Sequence, residues 1–99
     1  MRYLELKCDG KIYTSESRIN EILTNHKLYW LIDSEVENAA IEIKKNTLIW
    51  HGGSFYSGYW FYGIFKTGDF YGIWQNGIFE GGNFKGKWMC DDEDLLHRE

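Results

Sequence analysis

Three histidines, two cysteines and a short acidic run are the residues of this chain whose types could do chemistry. His26, His51 and His97 could act as bases or metal ligands, yet none stands at ligand spacing from another histidine or a cysteine in a patterned segment. His97 and Cys90 fall together only in the C-terminal tail. Asp91-Asp92-Glu93-Asp94 offers hard oxygen ligands, but not in the D-x-D-x-D-G spacing that wraps a cation. A run of like charges reads instead as a solvated tail. Ser54 and Ser57 sit among glycines as turn residues, without a G-x-S-x-G elbow or a paired base. The glycines form no G-x-x-x-x-G-K-[ST] phosphate cradle. The expectation is no catalytic residue, no metal and no cofactor: not an enzyme. His51, beside Trp50, is the one histidine worth testing.

What remains is the chemistry of aromatic contact. From residue 50 to residue 88 the chain reads WHGGSFYSGYWFYGIFKTGDFYGIWQNGIFEGGNFKGKW. Aromatics return at Trp50, Phe55, Trp60, Phe65, Phe70, Trp74, Phe79, Phe84 and Trp88, usually with a glycine two residues before. This is a tandem repeat with unit G-x-[FW]-x-x. A straight strand alternates its side chains with period 2. An odd period therefore throws successive rings to opposite faces unless the chain turns. It can bend at every unit into a four-sided β-helix, or reverse at every second unit as an antiparallel meander.

The turn residues favour the meander. Asn76-Gly77 is a strong hairpin signal, because a type I′ turn needs positive φ at both central residues. It would pair Trp74 with Phe79 and Gly72 with Gly81. A second turn at Thr67-Gly68 would pair Phe65 with Phe70, Gly63 with Gly72 and Phe61 with Trp74. Both registers put glycines in one row across three strands, with rings packed over bare backbone. Further turns are expected at Ser57-Gly58 and Lys85-Gly86. The expected fold class is mainly β: an antiparallel meander of glycine–aromatic hairpins, with a pentapeptide-type β-helix as the alternative.

The run FYGIWQNGIFEGG resembles the MORN-repeat pattern, in which a hairpin carries Y-x-G-x-W-x-N-G. The pentads, with Ile41-Glu42-Ile43 and Leu48-Ile49-Trp50 leading into them, are also similar to G-x-W-x-N pentads in small proteins of tailed bacteriophages. That resemblance implies a phage accessory protein and no activity. The pentapeptide-repeat β-helix is similar in its central aromatic and its small residue two before. The four-residue units ending at Trp74 and Trp88 break its phase.

The chain of 99 residues suits one domain. Residues 1–49 form an N-terminal α+β cap, residues 50–88 the repeat sheet, and residues 89–99 the tail. In the cap, residues 2–7 alternate as a strand, Asp9-Gly10 turns, and residues 11–14 return. Ser15 N-caps a helix over Glu16–Asn25, whose Ile19, Ile22 and Leu23 form a narrow apolar stripe. Residues 28–33 (LYWLID) read as a strand, 34–38 as a polar connection and 39–44 as a strand. Lys45-Asn46 then turns into residues 47–50.

The net charge is −4. Residues 1–49 hold seven basic and eight acidic groups, residues 50–88 three and two, residues 89–99 one and five. The repeat offers only Lys66, Lys85 and Lys87, too few for phosphate tracking, so no nucleic-acid partner is expected. No apolar run is long enough for a membrane helix, and no apolar signal core follows Met1. Two cysteines near opposite ends, Cys8 and Cys90, suit a reduced, cytoplasmic chain; if phage-encoded, the compartment is the host cytoplasm.

A single sheet layer cannot bury both faces. The meander places Phe61, Phe65, Phe70, Trp74 and Phe79 on one face, and Trp60, Tyr62, Ile64, Tyr71 and Ile73 on the other. Tyrosine and tryptophan with a wet edge suit interfaces. Trp50, Tyr56, Trp60, Tyr62 and Tyr71 are therefore the expected contact residues of a non-catalytic interaction protein that binds or inhibits a macromolecule or self-associates. The alternatives are a nucleotide- or glycan-binding protein, whose rings stack on the ligand, and a structural repeat protein.

Overall fold

A computed structural model describes residues 1–88. Its N-terminal half alternates hairpins and helices. Strands β1 (Tyr3–Cys8) and β2 (Lys11–Tyr13) pair antiparallel around Asp9-Gly10. Helix α1 (Glu16–Asn25) starts where Ser15 accepts a hydrogen bond from the Arg18 amide, and it buries Ile19, Ile22 and Leu23. Two long strands follow, β3 (Glu35–Lys44) and β4 (Thr47–Ser57), antiparallel around Lys45-Asn46. β1 lies parallel to β3, so the cap sheet runs β4-β3-β1-β2.

The chain is mainly β with an N-terminal helix, and both expected cap hairpins form. Two cap elements differ from expectation. Residues 28–33 hold a helical turn, α2 (Tyr29–Ile32), rather than a strand. A short apolar run has no periodicity to separate the two states; here Leu28 and Leu31, three apart, are both buried. The polar stretch before residue 39 already belongs to β3, where Val36 is buried against the core.

The larger difference lies in the repeat. Beyond β4 come two-residue strands: β5 (Tyr59–Trp60), β6 (Ile64–Phe65), β7 (Asp69–Phe70), β8 (Ile73–Trp74), β9 (Ile78–Phe79), β10 (Asn83–Phe84) and β11 (Lys87–Trp88). They pair parallel, not antiparallel. Trp50 sits beside Phe65, and Phe65 beside Phe79. Phe55 sits beside Phe70, and Phe70 beside Phe84. Trp60 sits beside Trp74, and Trp74 beside Trp88. The chain thus winds as a three-sided parallel coil, turning a corner at each unit and stacking each side on the one a full circuit earlier. The expected pairings of Phe65 with Phe70 and Trp74 with Phe79 do not form, and the coil is three-sided where the β-helix alternative had four sides.

The glycine rows exist, at other partners. A Cβ on Gly72 would lie 2.7 Å from the Gly58 carbonyl oxygen, and one on Gly77 2.5 Å from that of Gly63. Gly72 therefore stacks between Gly58 and Gly86 rather than between Gly63 and Gly81. Corner backbone approaches corner backbone with no room for a side chain.

The rings fill the axis. Within the first circuit Trp50, Phe55 and Trp60 meet edge to face at 5.9–6.0 Å. Between circuits they stack: Phe55 on Phe70 at 4.9 Å, Phe65 on Phe79 at 5.0 Å, Trp60 on Trp74 at 5.3 Å. Those separations follow the strand spacing of about 4.8 Å, so one ladder sets both backbone and ring contacts. Both geometries are the ones aromatic quadrupoles favour. The core is continuous from α1 and α2 through Trp50 to Trp74. It thins toward the last circuit, where Phe79 and Phe84 are half-buried and Trp88 is exposed.

Candidate functional site

Turning the rings inward decides which of the expected contact residues can reach a partner. Trp50 and Trp60 cannot: both are fully buried on the coil axis. The meander had placed Trp60 and Phe61 on opposite faces with Trp60 outward; in the coil Trp60 points in and Phe61 out. The reason is the corner at Gly58, which resets the pleat so that the ring of every unit meets the axis. Tyr56, Tyr62 and Tyr71 are exposed.

Tyr56 and Tyr71 follow the inward Phe55 and Phe70, one circuit apart. Their rings stack at 5.6 Å and 22° on the outer surface. The Gly58–Gly72 corner lies next along the chain from each, and beyond it come Tyr59, Phe61 and Tyr62, also exposed. Tyr62 packs edge-on against Trp30 of α2 at 5.6 Å. The result is a band of aromatic side chains around one corner. Sequence reasoning missed Trp30, Tyr59 and Phe61, since α2 meets the coil only in three dimensions.

Close approach fixes that meeting. A Cβ on Gly58 would stand 2.3 Å from the Ser34 Oγ. Ser34 is 3% exposed, and its hydroxyl donates to the Trp30 carbonyl at 2.6 Å. Arg2 caps the carbonyl end of α2: its guanidinium donates to the Ser34, Ile32 and Leu31 carbonyls at 2.6, 3.1 and 3.3 Å and to the Tyr3 hydroxyl at 2.8 Å. A cation at a helix C-terminus is well placed for the helix dipole. Burial pushes the Tyr3 hydroxyl pKa up, against the opposing pull of Arg2.

Beyond the band, Ile49, Ile64 and Ile78 form an apolar outward column in which Ile78 is exposed, while other columns carry polar contacts. Asn83 donates to the Asp69 carboxylate at 2.9 Å, and Lys66 lies 3.7 Å from Glu80. His51, the histidine singled out for testing, sits 2.8 Å from the Glu42 carboxylate on β3. That hydrogen bond is the main cause holding the Glu42 pKa below its ordinary value, against desolvation. Lys7, opposite Glu42 on β1, and Lys44 add to the same lowering as neighbouring cations. Among the described residues no cluster of three or more His, Cys, Asp or Glu could hold a metal ion. Cys8 is a buried free thiol, its pKa raised by desolvation first and the neighbouring Asp9 second. Cys90, His97 and the run from Asp91 to Asp94 lie outside the described residues. No helix among the described residues is long and apolar enough to cross a membrane.

Comparison with protein-family models, with curated proteins and with solved structures finds no match to this chain.

Proposed function

We propose that this chain is a non-catalytic protein-interaction module whose contact surface is the outward aromatic band around the Gly58–Gly72 corner. One observation carries the reading: Tyr56 and Tyr71 stack on each other outside the coil, away from the axis that holds Trp50, Phe55, Trp60, Phe65, Phe70 and Trp74. A tyrosine pair with wet hydroxyls offers rigid contact area at low entropic cost, as interfaces favour. The similarity of the pentads to small proteins of tailed bacteriophages supports an accessory role: binding or inhibiting a macromolecule, in the host cytoplasm if phage-encoded.

Retention of macromolecules from a lysate on immobilised wild type, beside Tyr56→Ala/Tyr71→Ala and Tyr62→Ala/Tyr71→Ala variants, tests it. The wild type should hold a partner that both variants lose while keeping their circular dichroism. If the wild type retains nothing and is monomeric by light scattering, the reading fails. A second reading, a small-ligand binder, is favoured by a cleft beside the band, between α2 and the coil.

A further inference from the structure

The cleft has a volume of about 310 Å³ and is lined by Trp30, Asp33, Ser34, Gly58, Tyr59 and Phe61. Its aromatic walls come from both halves of the molecule. Phe61 lies near-parallel to Tyr59 at 6.0 Å and at 75° to Trp30 at 6.1 Å. Asp33, the C-cap of α2, contributes the one ionisable carboxylate of the lining. It is exposed and no ion pair reaches it among the described residues. The Arg2 guanidinium is directed at the α2 carbonyls and the Tyr3 hydroxyl instead.

These features select by charge. The faces of aromatic rings carry negative potential and attract cations. A phosphate or a nucleotide would meet that potential and a carboxylate together. The Ser34 hydroxyl is already donated within α2 and almost fully buried, and the Trp30 Nε1 has no partner among the described residues, so Asp33 is the one charged group the lining offers a ligand. We propose that the cleft binds an organic cation, an alkylammonium or guanidinium group, held against Trp30, Tyr59 and Phe61 and paired with Asp33. Two sources share this chemistry: a lysine or arginine side chain of a protein partner, or a free small-molecule cation. The first rests on the interaction reading above; the second does not.

Amide and indole NMR spectra of the full chain test the proposal. The Trp30 indole signal, assigned by its loss in Trp30→Phe, is followed against tetramethylammonium, N-methylguanidinium, the neutral isostere neopentyl alcohol, and blocked tetrapeptides carrying arginine or citrulline. Both cations should shift it saturably and the neutral isostere should not. Asp33→Asn, at an exposed site that leaves the fold intact, should weaken both cations about five-fold or more through loss of the charge partner. Phe61→Leu should weaken them with Asp33 in place. An arginine peptide that binds more tightly than N-methylguanidinium, with the citrulline peptide inert, supports a partner's side chain as the source. Free cations that bind while the arginine peptide does not support a small-molecule source, and the interaction reading is then decided by the retention experiment alone. An equal response to neopentyl alcohol and tetramethylammonium, no response to any cation, or unchanged cation affinity in folded Asp33→Asn overturns the proposal.

Discussion

The hairpins of the cap and the corners of the coil use the same residue types for opposite ends. At Asp9-Gly10 and Lys45-Asn46 both central residues have positive φ: 53° and 78° in the first, 51° and 64° in the second. The chain reverses, as a type I′ turn requires. At Asn76-Gly77 and Thr67-Gly68 only the glycine is left-handed, with φ of 116° and 124°. One left-handed residue bends the chain without reversing it, and the next strand runs parallel to one a full circuit earlier. Asn-Gly therefore marks where the chain changes direction, and the packing around it decides by how much. In the cap, helices supply that packing; in the coil, each circuit's rings supply it for the next.

The widest separation of the two regions should come from their cores. Trp60→Ala removes a ring that touches neighbours in two circuits, and should cost about 3–5 kcal/mol, the range for a large buried aromatic. Trp88→Ala, at an exposed ring that still stacks on Phe84 at 4.5 Å, should cost about 0.5–1.5 kcal/mol. Urea midpoints on both variants check the gradient along the coil; equal losses would mean the last circuit is as tightly held as the first.

Glycine substitutions probe the turns themselves. At Gly68, φ is 124° and a Cβ would meet the Gly53 carbonyl oxygen at 2.3 Å and the Trp50 Nε1 at 3.1 Å. Strain and overpacking together should make Gly68→Ala cost roughly 2–4 kcal/mol. Gly10 has φ of 78° with nothing within 4 Å of its Cβ position, so Gly10→Ala should cost only the left-handed strain of about 1–2 kcal/mol. A Gly68→Ala variant no less stable than Gly10→Ala by thermal unfolding would remove the close stacking of corners.

Cys8 reports on the cap. Buried and held protonated, its thiol should react with an alkylating reagent in a Cys90→Ser background only as fast as the cap opens, and rapidly once unfolded. Prompt labelling of native protein would show that the cap breathes independently of the coil.

The smallest effect is expected where cap strand meets coil strand. Glu42→Gln should cost about 0.2–1 kcal/mol near neutral pH, as for a surface pair. The Glu42 carboxyl has its folded pKa below the unfolded value. Its contribution is therefore complete above the unfolded pKa and lost as pH falls through the folded one. The acid limb of a melting-temperature profile should be shallower in the variant; superimposable limbs would show that the His51 contact does not couple to folding.

Local chemistry made much of the cap legible. The Ser15 cap, the stripe of Ile19, Ile22 and Leu23 and the two hairpin turns all depend on residues close in sequence. LYWLID did not declare itself, because a few apolar residues fit a buried helical turn as well as a strand. In the repeat, the unit was legible, but neither its closure nor the inward turn of every unit's ring was, since the meander left Trp50 and Trp60 as contact residues. One available signal went the wrong way: the four-residue units ending at Trp74 and Trp88 looked like breaks of phase. They recur one circuit apart and stack at the same corner, Gly72 beneath Gly86. Aligned by circuit, SFYSGYWFYGIFKTG, DFYGIWQNGIFEGG and NFKGKW repeat one another. The four-residue side recurs in the second and third circuits, where the first circuit has the five-residue step from Phe55 to Trp60.

By itself the amino-acid sequence determined that rings and glycines alternate so that every ring needs a partner and every glycine a close neighbour. Bond geometry within a unit reaches no further than the next corner, so the turn residues favoured antiparallel ribbons without excluding a closed coil. Tertiary structure decided between them, because only the three-sided path brings three rings of a circuit edge to face while the next circuit covers them. The same path buried Trp50 and Trp60, left Tyr56, Tyr62 and Tyr71 outside, and brought Trp30 and Asp33 up against Tyr59 and Phe61.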